Sequence, residues 1–109
     1  MPKETLADLE FLILLAILQV GDEAYGVPIA REIRRRAGRS VARAAIYVTL
    51  RRLEEHGLVS SWFGDPVAER GGKARRYYRI EPEGREMVRA TRDALRSMWE
   101  GLDPVLENM

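Results

Sequence analysis

Cysteine is absent from the 109-residue chain, and histidine occurs once, at His56. Without cysteine the chain can form no disulfide bond, thiolate zinc site, iron–sulfur cluster or cysteine nucleophile. A single histidine leaves almost no material for Ser-His-Asp catalysis or for a multi-histidine metal site. The glycine-rich motifs that cradle nucleotide phosphates are also missing. These absences predict a protein that is not an enzyme and that uses no metal or cofactor.

Long apolar segments are missing as well. The longest apolar run, Phe11–Leu18, has eight residues, whereas a membrane-spanning helix needs about 20. Acidic residues precede this run, which is the wrong flank for a signal peptide. We therefore expect a cytoplasmic protein without a membrane partner. A chain of this length buries only about two-thirds of its unfolded surface, so a second copy would add useful burial.

Two helices are predicted in the first third of the chain. The first is expected from an N-cap at Thr5 to about Val20, and it is apolar nearly all round, which indicates burial on most sides. The second is expected from Gly26 to a stop at Gly38, because the intervening proline is tolerated in a first turn and glycine commonly ends helices. Its predicted inward face consists of Ile29, Ile33 and Ala37.

A third helix is predicted to begin between Ser40 and Ala42 and to end at His56, with Gly57 as its C-terminal cap. His56 is expected to interact with the negative end of the helix dipole. Apolar residues recur at one-turn spacing, which indicates one buried face. That face consists of Ile46, Leu50 and Leu53.

A β-hairpin is predicted after the third helix. Leu58–Phe63 and Arg75–Ile80 are rich in residues that favour strands, and the glycine-containing segment between them indicates a long flexible tip. Trp62 is expected to belong to the hydrophobic core at the base of the hairpin.

One long last helix is predicted from Glu81–Gly84 to Leu106, with apolar residues every three or four positions. No partner for that stripe is left inside a monomer of this size. The predicted fold is mainly α with a small β-hairpin. It comprises a winged helix-turn-helix domain at residues 1–80 and a C-terminal dimerisation helix at residues 81–109.

The net charge of +1 conceals a strong segregation of charge. Residues 31–52 hold eight arginines and one acid, and residues 70–79 hold five cations and no acid. In a winged helix these segments face a nucleic acid together, so their placement predicts a DNA-binding face. Acids at 54–55 indicate that only the N-terminal half of the third helix enters the groove. A solvated surface is the alternative for a run such as 34–36.

The third helix carries residue types that read base edges. Arg43 and Arg51 are suited to guanine, and Ala44 and Val48 to thymine methyl groups. Tyr47 lies on the flank, where it suits a phosphate contact; a place at the edge of the core is the alternative. The predicted DNA-contacting residues are Arg35, Arg39, Arg43, Ala44, Tyr47, Val48, Arg51, Arg52, Lys73, Arg75 and Arg76.

Several motifs follow one another along nearly the whole chain: Glu10, Tyr25-Gly26, Ile29, Ile46-Tyr47, Leu50, Leu53-Glu54, Gly57-Leu58-Val59, the run Gly72-Lys73-Ala74-Arg75-Arg76-Tyr77-Tyr78-Arg79-Ile80, and Gly84. This ordered set resembles the PadR family of bacterial transcriptional regulators. The chain departs from the usual family pattern at Ala42, Ala44 and Glu81, where serine, glycine and threonine are common. Of these three positions, Ala44 alone lies on the expected DNA face.

The resemblance implies a homodimer that represses transcription at a palindromic operator in double-stranded DNA. The last helix of each subunit would pack against the first and last helices of its partner. The residues expected at that interface are Phe11, Leu15, Val88, Leu95, Met98, Trp99 and Leu102.

The resemblance also raises the question of a ligand, because some relatives sense small aromatic or cationic molecules at the dimer interface. Trp99, Met98 and Phe11 are the candidates to line such a site, and packing within the dimer core is the favoured interpretation of Trp99. A hypothesis of a different class is a winged-helix module that uses its basic face to bind acidic proteins.

Overall fold

A computed structural model describes residues 5–66 and 71–108. Within these residues, five α-helices accompany a two-stranded antiparallel sheet. The elements are α1 (Asp8–Val20), α2 (Gly26–Ala37), α3 (Arg43–Glu55), β1 (Val59–Pro66), β2 (Ala74–Ile80), α4 (Pro82–Trp99) and α5 (Asp103–Glu107). This order confirms the predicted mainly helical winged helix-turn-helix with a small hairpin. No helix in this part of the chain is long and apolar enough to cross a membrane.

The core is centred on α1, where Ile13 and Leu14 are completely buried. The helix begins later than predicted, with Ala7 rather than Thr5 as its N-cap. The reason is that the backbone N–H of Leu6 donates a buried hydrogen bond to Thr91 Oγ1 on α4, at 2.8 Å. That bond holds the preceding segment against α4 instead of letting it join the first turn of α1.

The helix-turn-helix pair forms largely as predicted. Gly38 adopts a left-handed conformation (φ 65°) and ends α2, and α3 begins directly after Ala42 and ends one residue before His56, the C-cap. The predicted burial is confirmed for every residue except Ala37, which is exposed. Its side chain lines an open cleft between α1 and α2 instead of the core. The residues confirmed as buried are Ile29, Ile33, Ile46, Leu50 and Leu53.

The hairpin strands pair in register from Val59 opposite Ile80 to Phe63 opposite Arg76. Pairing resumes beyond an irregularity, so β1 extends to Pro66, past its predicted end. Part of the predicted flexible tip, residues 67–70, lies outside the described residues.

The prediction that Trp62 belongs to the core is wrong, because its side chain is 42% exposed. Side chains alternate between the two faces of a strand, and the buried Val59 fixes the inward face. Trp62 therefore lies on the outer face, opposite Tyr77, with which it stacks at 5.8 Å between ring centroids.

The prediction of one continuous last helix is also wrong. The chain leaves α4 after Trp99, and Gly101 adopts a left-handed conformation (φ 81°) before the short α5. Pro104 fits the first turn of α5 but would interrupt an unbroken helix. The turn is closed by the Trp99 indole N–H, which donates to Asp103 Oδ1 at 2.6 Å.

Candidate nucleic-acid interface

The outward side of α3 is open to solvent. Val48 is 53% exposed, and Ala44, Arg51 and Arg52 are exposed with it. The opposite side of the same helix is the buried face that fixes α3 to the core. The open side thus combines cationic and small apolar groups, which are the chemical types that contact guanine edges and thymine methyl groups in the major groove.

Three arginines of α3 carry charges that no acid of the described residues opposes in an ion pair. Arg43, Arg51 and Arg52 are exposed, and none forms an ion pair within the residues that the structure describes. The hairpin of β1 and β2 is the wing of this fold, and Lys73, which directly precedes β2, is also exposed. These four cations are available to an external anion.

The arginines at the end of α2 differ, because acids of the same chain accept their hydrogen bonds. Glu32 is shared by Arg35 and Arg36, with nitrogen–oxygen distances of 2.8 and 2.9 Å. Hydrogen bonds from Arg36 and then Arg35 lower the pKa of Glu32, which stays ionised. Arg39 pairs with Asp8 at the start of α1. The predicted contacts Arg35 and Arg39 are therefore partly neutralised from within.

The wing arginines lie against aromatic rings. The Arg75 guanidinium lies 4.5 Å from the ring centroid of Tyr25, and its buried Nε has no hydrogen-bond partner among the residues that the structure describes. The Arg76 guanidinium lies 5.2 Å from the Phe63 ring centroid. Such cation–π contacts fix the direction of a guanidinium without cancelling its charge.

A polar cluster joins α3 to both wing strands, and sequence reasoning did not find it. The Ser61 hydroxyl donates to Glu54 Oε2 at 2.7 Å, and Arg76 donates from Nη2 to Glu54 Oε1 at 3.3 Å. Arg76 Nε also donates to Ser61 Oγ at 3.0 Å. The alternation of side chains along each strand could have indicated this cluster, because it places Ser61 and Arg76 on the same face of the hairpin, the face toward α3.

Tyr47 lies between the open face of α3 and the core, and its side chain is 43% exposed. Its ring packs against Gly26 at the start of α2, where an added Cβ would come within 2.5 Å of the Tyr47 hydroxyl. Glycine at position 26 therefore permits the close approach of α2 and α3. The same tyrosine also lines a cleft of about 260 Å³ between α3 and the wing.

The expected dimer residues form two groups in the structure. Met98 is 77% exposed, and the other three residues on or after the second half of α4 are between 42% and 55% exposed. Those three are Leu95, Trp99 and Leu102. The residues nearer the core are half-buried, and they are Phe11, Leu15 and Val88.

The three candidate ligand residues lie at two separate places on the structure. Phe11 lines a cleft of about 300 Å³ together with Thr91 and Leu95. Trp99 and Met98 lie farther along α4 and do not line that cleft.

Residues 14–90 match the sequence profile of the transcriptional regulator PadR-like family. The chain belongs to the PadR-like family. This membership makes it a transcription regulator rather than an enzyme, as the sequence predicted. An uncharacterised protein from Lysinibacillus sphaericus is 37% identical over 79 residues, which cover 71% of this chain and 68% of that protein.

Solved structures of PadR proteins share the fold. A PadR family transcription regulator from Clostridium difficile R20291 gives a TM-score of 0.71 at 25% identity, covering 91% of this chain and 99% of that one. Bacillus subtilis PadR, solved in complex with operator DNA, gives a TM-score of 0.63 at 19% identity. That match covers 74% of this chain but 44% of the Bacillus subtilis chain, and it shows a shared fold.

Proposed function

We propose that this PadR-like regulator binds double-stranded DNA sequence-specifically as a homodimer and represses its own or a neighbouring operon. The observation that carries the proposal is the open face of α3, where Arg43, Arg51 and Arg52 have no acidic partner among the described residues. A winged helix presents this face to the major groove. The operator complex of Bacillus subtilis PadR supports the same use of the shared fold.

The exposed residues of α3 are assigned either to base edges or to phosphates. Arg51 and Arg43 would donate two hydrogen bonds each to guanine, while Ala44 and Val48 would contact thymine methyl groups. Arg52 and Tyr47 are assigned to phosphates, together with Lys73 on the wing. We expect smaller shares from Arg35, Arg39 and Arg75, which are already engaged within the chain, and an indirect contribution from Arg76, which pairs with Glu54.

A second copy would cover the apolar face of α4 and α5. Met98 and Trp99 are more than half exposed, and burial of such side chains against a partner is favourable by roughly 1.5–3 kcal/mol each. We assign residues 1–80 to DNA binding and residues 81–109 to dimerisation. A two-fold dimer would read a palindrome with half-sites about one helical turn, 34–36 Å, apart or a multiple of it.

The same interface would bring Trp99, Met98 and Phe11 of two copies near one another, which is where a small aromatic or cationic ligand would fit. A flat indole surface suits either kind of ligand. Packing between the two copies accounts for the same residues without a ligand.

Selection of binding sites from a random DNA pool tests the proposal. We expect the protein to enrich a palindrome, and R51A to relax base preference at symmetry-related positions. The matched control is R89A, which removes an exposed arginine from α4 and should leave the enriched sequence unchanged. Enrichment of no sequence, or identical sites for wild type and R51A, would overturn the proposed recognition.

A further inference from the structure

Glu54 is an acid within a surface that the proposed function assigns to DNA. Its carboxylate would repel phosphates if it faced them, yet both of its oxygens accept hydrogen bonds from the wing. Its side chain is 33% exposed and that of Arg76 is 46% exposed, so the pair is half-covered rather than free in solvent. Neither group is thus oriented as a simple surface charge.

The contacts among Glu54, Ser61 and Arg76 close a triangle across three elements. Glu54 lies in the last turn of α3, Ser61 on β1 and Arg76 on β2. Each member bonds to both of the others. In the part of the chain that the structure describes, these are the only side-chain hydrogen bonds between α3 and the wing strands.

The packing between α3 and the wing is interrupted at the level of these three side chains. An open cleft of about 260 Å³ separates them, and Tyr47, Arg51 and Tyr78 complete its lining. Closer to the base of the hairpin, backbone bonds hold the chain: Leu58 N–H donates to the Leu53 carbonyl at 2.9 Å. Beyond that base, the triangle is the polar link that spans the cleft.

We infer that Glu54 is a positioning residue that holds the wing at a fixed place against α3, with Arg76 as its partner rather than as a phosphate ligand. The inference rests on the proposed function, because it concerns how the two DNA-contacting elements are held at one spacing. It differs from the sequence-based assignment of Arg76 to DNA. The guanidinium would contribute through geometry, since its charge is already opposed by the carboxylate of Glu54.

Reversal of the ion pair separates the two roles of Arg76. The variants are E54R, R76E and the double variant, measured for affinity to a mixed-sequence duplex of about 30 base pairs. R76E should weaken binding by about tenfold or less, because it places two acids together across the cleft, and E54R should weaken it less, because its added positive charge partly offsets the displaced wing. The double variant should recover most of the wild-type affinity, because the pair is restored with its members exchanged. If Arg76 contacts a phosphate, the acid at 76 persists in the double variant and affinity stays low, which would overturn the inference.

Salt dependence gives a second readout, which separates a positioning role of Arg76 from a direct phosphate contact. Loss of a phosphate contact lowers the slope of log K against log salt by about one. We expect R52A, which removes an assigned phosphate contact, to show that change and R76A to weaken binding with the wild-type slope. S61A, which removes only the bridging hydroxyl, should weaken binding modestly at an unchanged slope and keeps the inference testable if a charge reversal unfolds. An R76A slope reduced like that of R52A, or S61A binding identical to wild type, would contradict the positioning role.

Binding by the wild-type protein distinguishes failure of the proposed function from failure of the inference about Glu54. If the wild-type protein shows no salt-dependent affinity for the duplex, the proposed function fails and the inference fails with it. If wild type and R52A behave as expected but the reversed pair does not recover, only the positioning role of Glu54 is overturned.

Discussion

Gly84 shows how one missing side chain sets the position of a whole helix. A Cβ at residue 84 would lie 2.3 Å from the Leu58 carbonyl oxygen and 2.7 Å from Ile80 Cγ1. A backbone oxygen cannot move away as a flexible side chain can, so we expect G84A to lower the free energy of unfolding by about 1–3 kcal/mol. Equilibrium urea unfolding measures this free energy, and S97A, at an exposed position of α4, is the control that should leave it nearly unchanged. Equal stability of G84A and wild type would contradict the close approach.

Residue-level prediction from sequence succeeded where periodicity decides the outcome. Ile46 and Leu50 could be assigned to the core because one-turn spacing leaves a single consistent inward face. Trp62 could not, because a strand of alternating residues is read correctly only when its inward face is known. Glu54 was missed for a related reason: its partners lie on strands whose register the sequence does not specify.

At the scale of elements, α4 is fixed to the rest of the fold by a buried hydrogen bond as well as by packing. Leu6 N–H donates to Thr91 Oγ1, and Thr91 is 4% exposed. T91V preserves the shape but leaves a buried N–H without its acceptor, so it should cost about 1–3 kcal/mol of stability. T91S retains the hydroxyl and should cost less. Thermal unfolding compares the two variants, and equal losses would show that the hydrogen bond is not the source.

The break between α4 and α5 was readable in part. Gly101 and Pro104 are both helix-ending residues, but the apolar stripe continues through them to Leu106 and favours one long helix. In the structure α4 ends at Trp99, although the apolar pattern continues to Leu106. Exposed apolar residues continue on α5, where Val105 is 57% exposed, so the apolar surface extends from α4 onto α5.

At the scale of the whole molecule, the exposed apolar face of α4 predicts a dimer. M98D places a charge where we expect a partner to bury the side chain, and an unpaired buried charge is strongly unfavourable. Sedimentation at micromolar concentration should therefore show a dimer for wild type and a monomer for M98D. S97D is the control, because residue 97 lies on the opposite side of α4 from the apolar stripe. A monomeric wild type, or an M98D dimer, would contradict the proposed interface.

Charge is the whole-molecule property that the sequence predicted most usefully and also overstated. The two basic segments do supply the open face of α3 and the wing. However, Glu32, Glu54 and Asp8 bind arginines that a linear count treats as free. These pairs depend on tertiary placement, so the number of cations available to DNA could not be read from residue counts alone.

The salt dependence of binding is the most direct test of whether α3 and the wing bind DNA. We expect log K for a duplex to fall linearly with log salt, with a slope that corresponds to several released counterions, because the cations of α3 and the wing displace counterions from phosphates. The measurement needs the wild-type protein, one duplex and a series of salt concentrations. A slope near zero would contradict the assignment of this face to DNA.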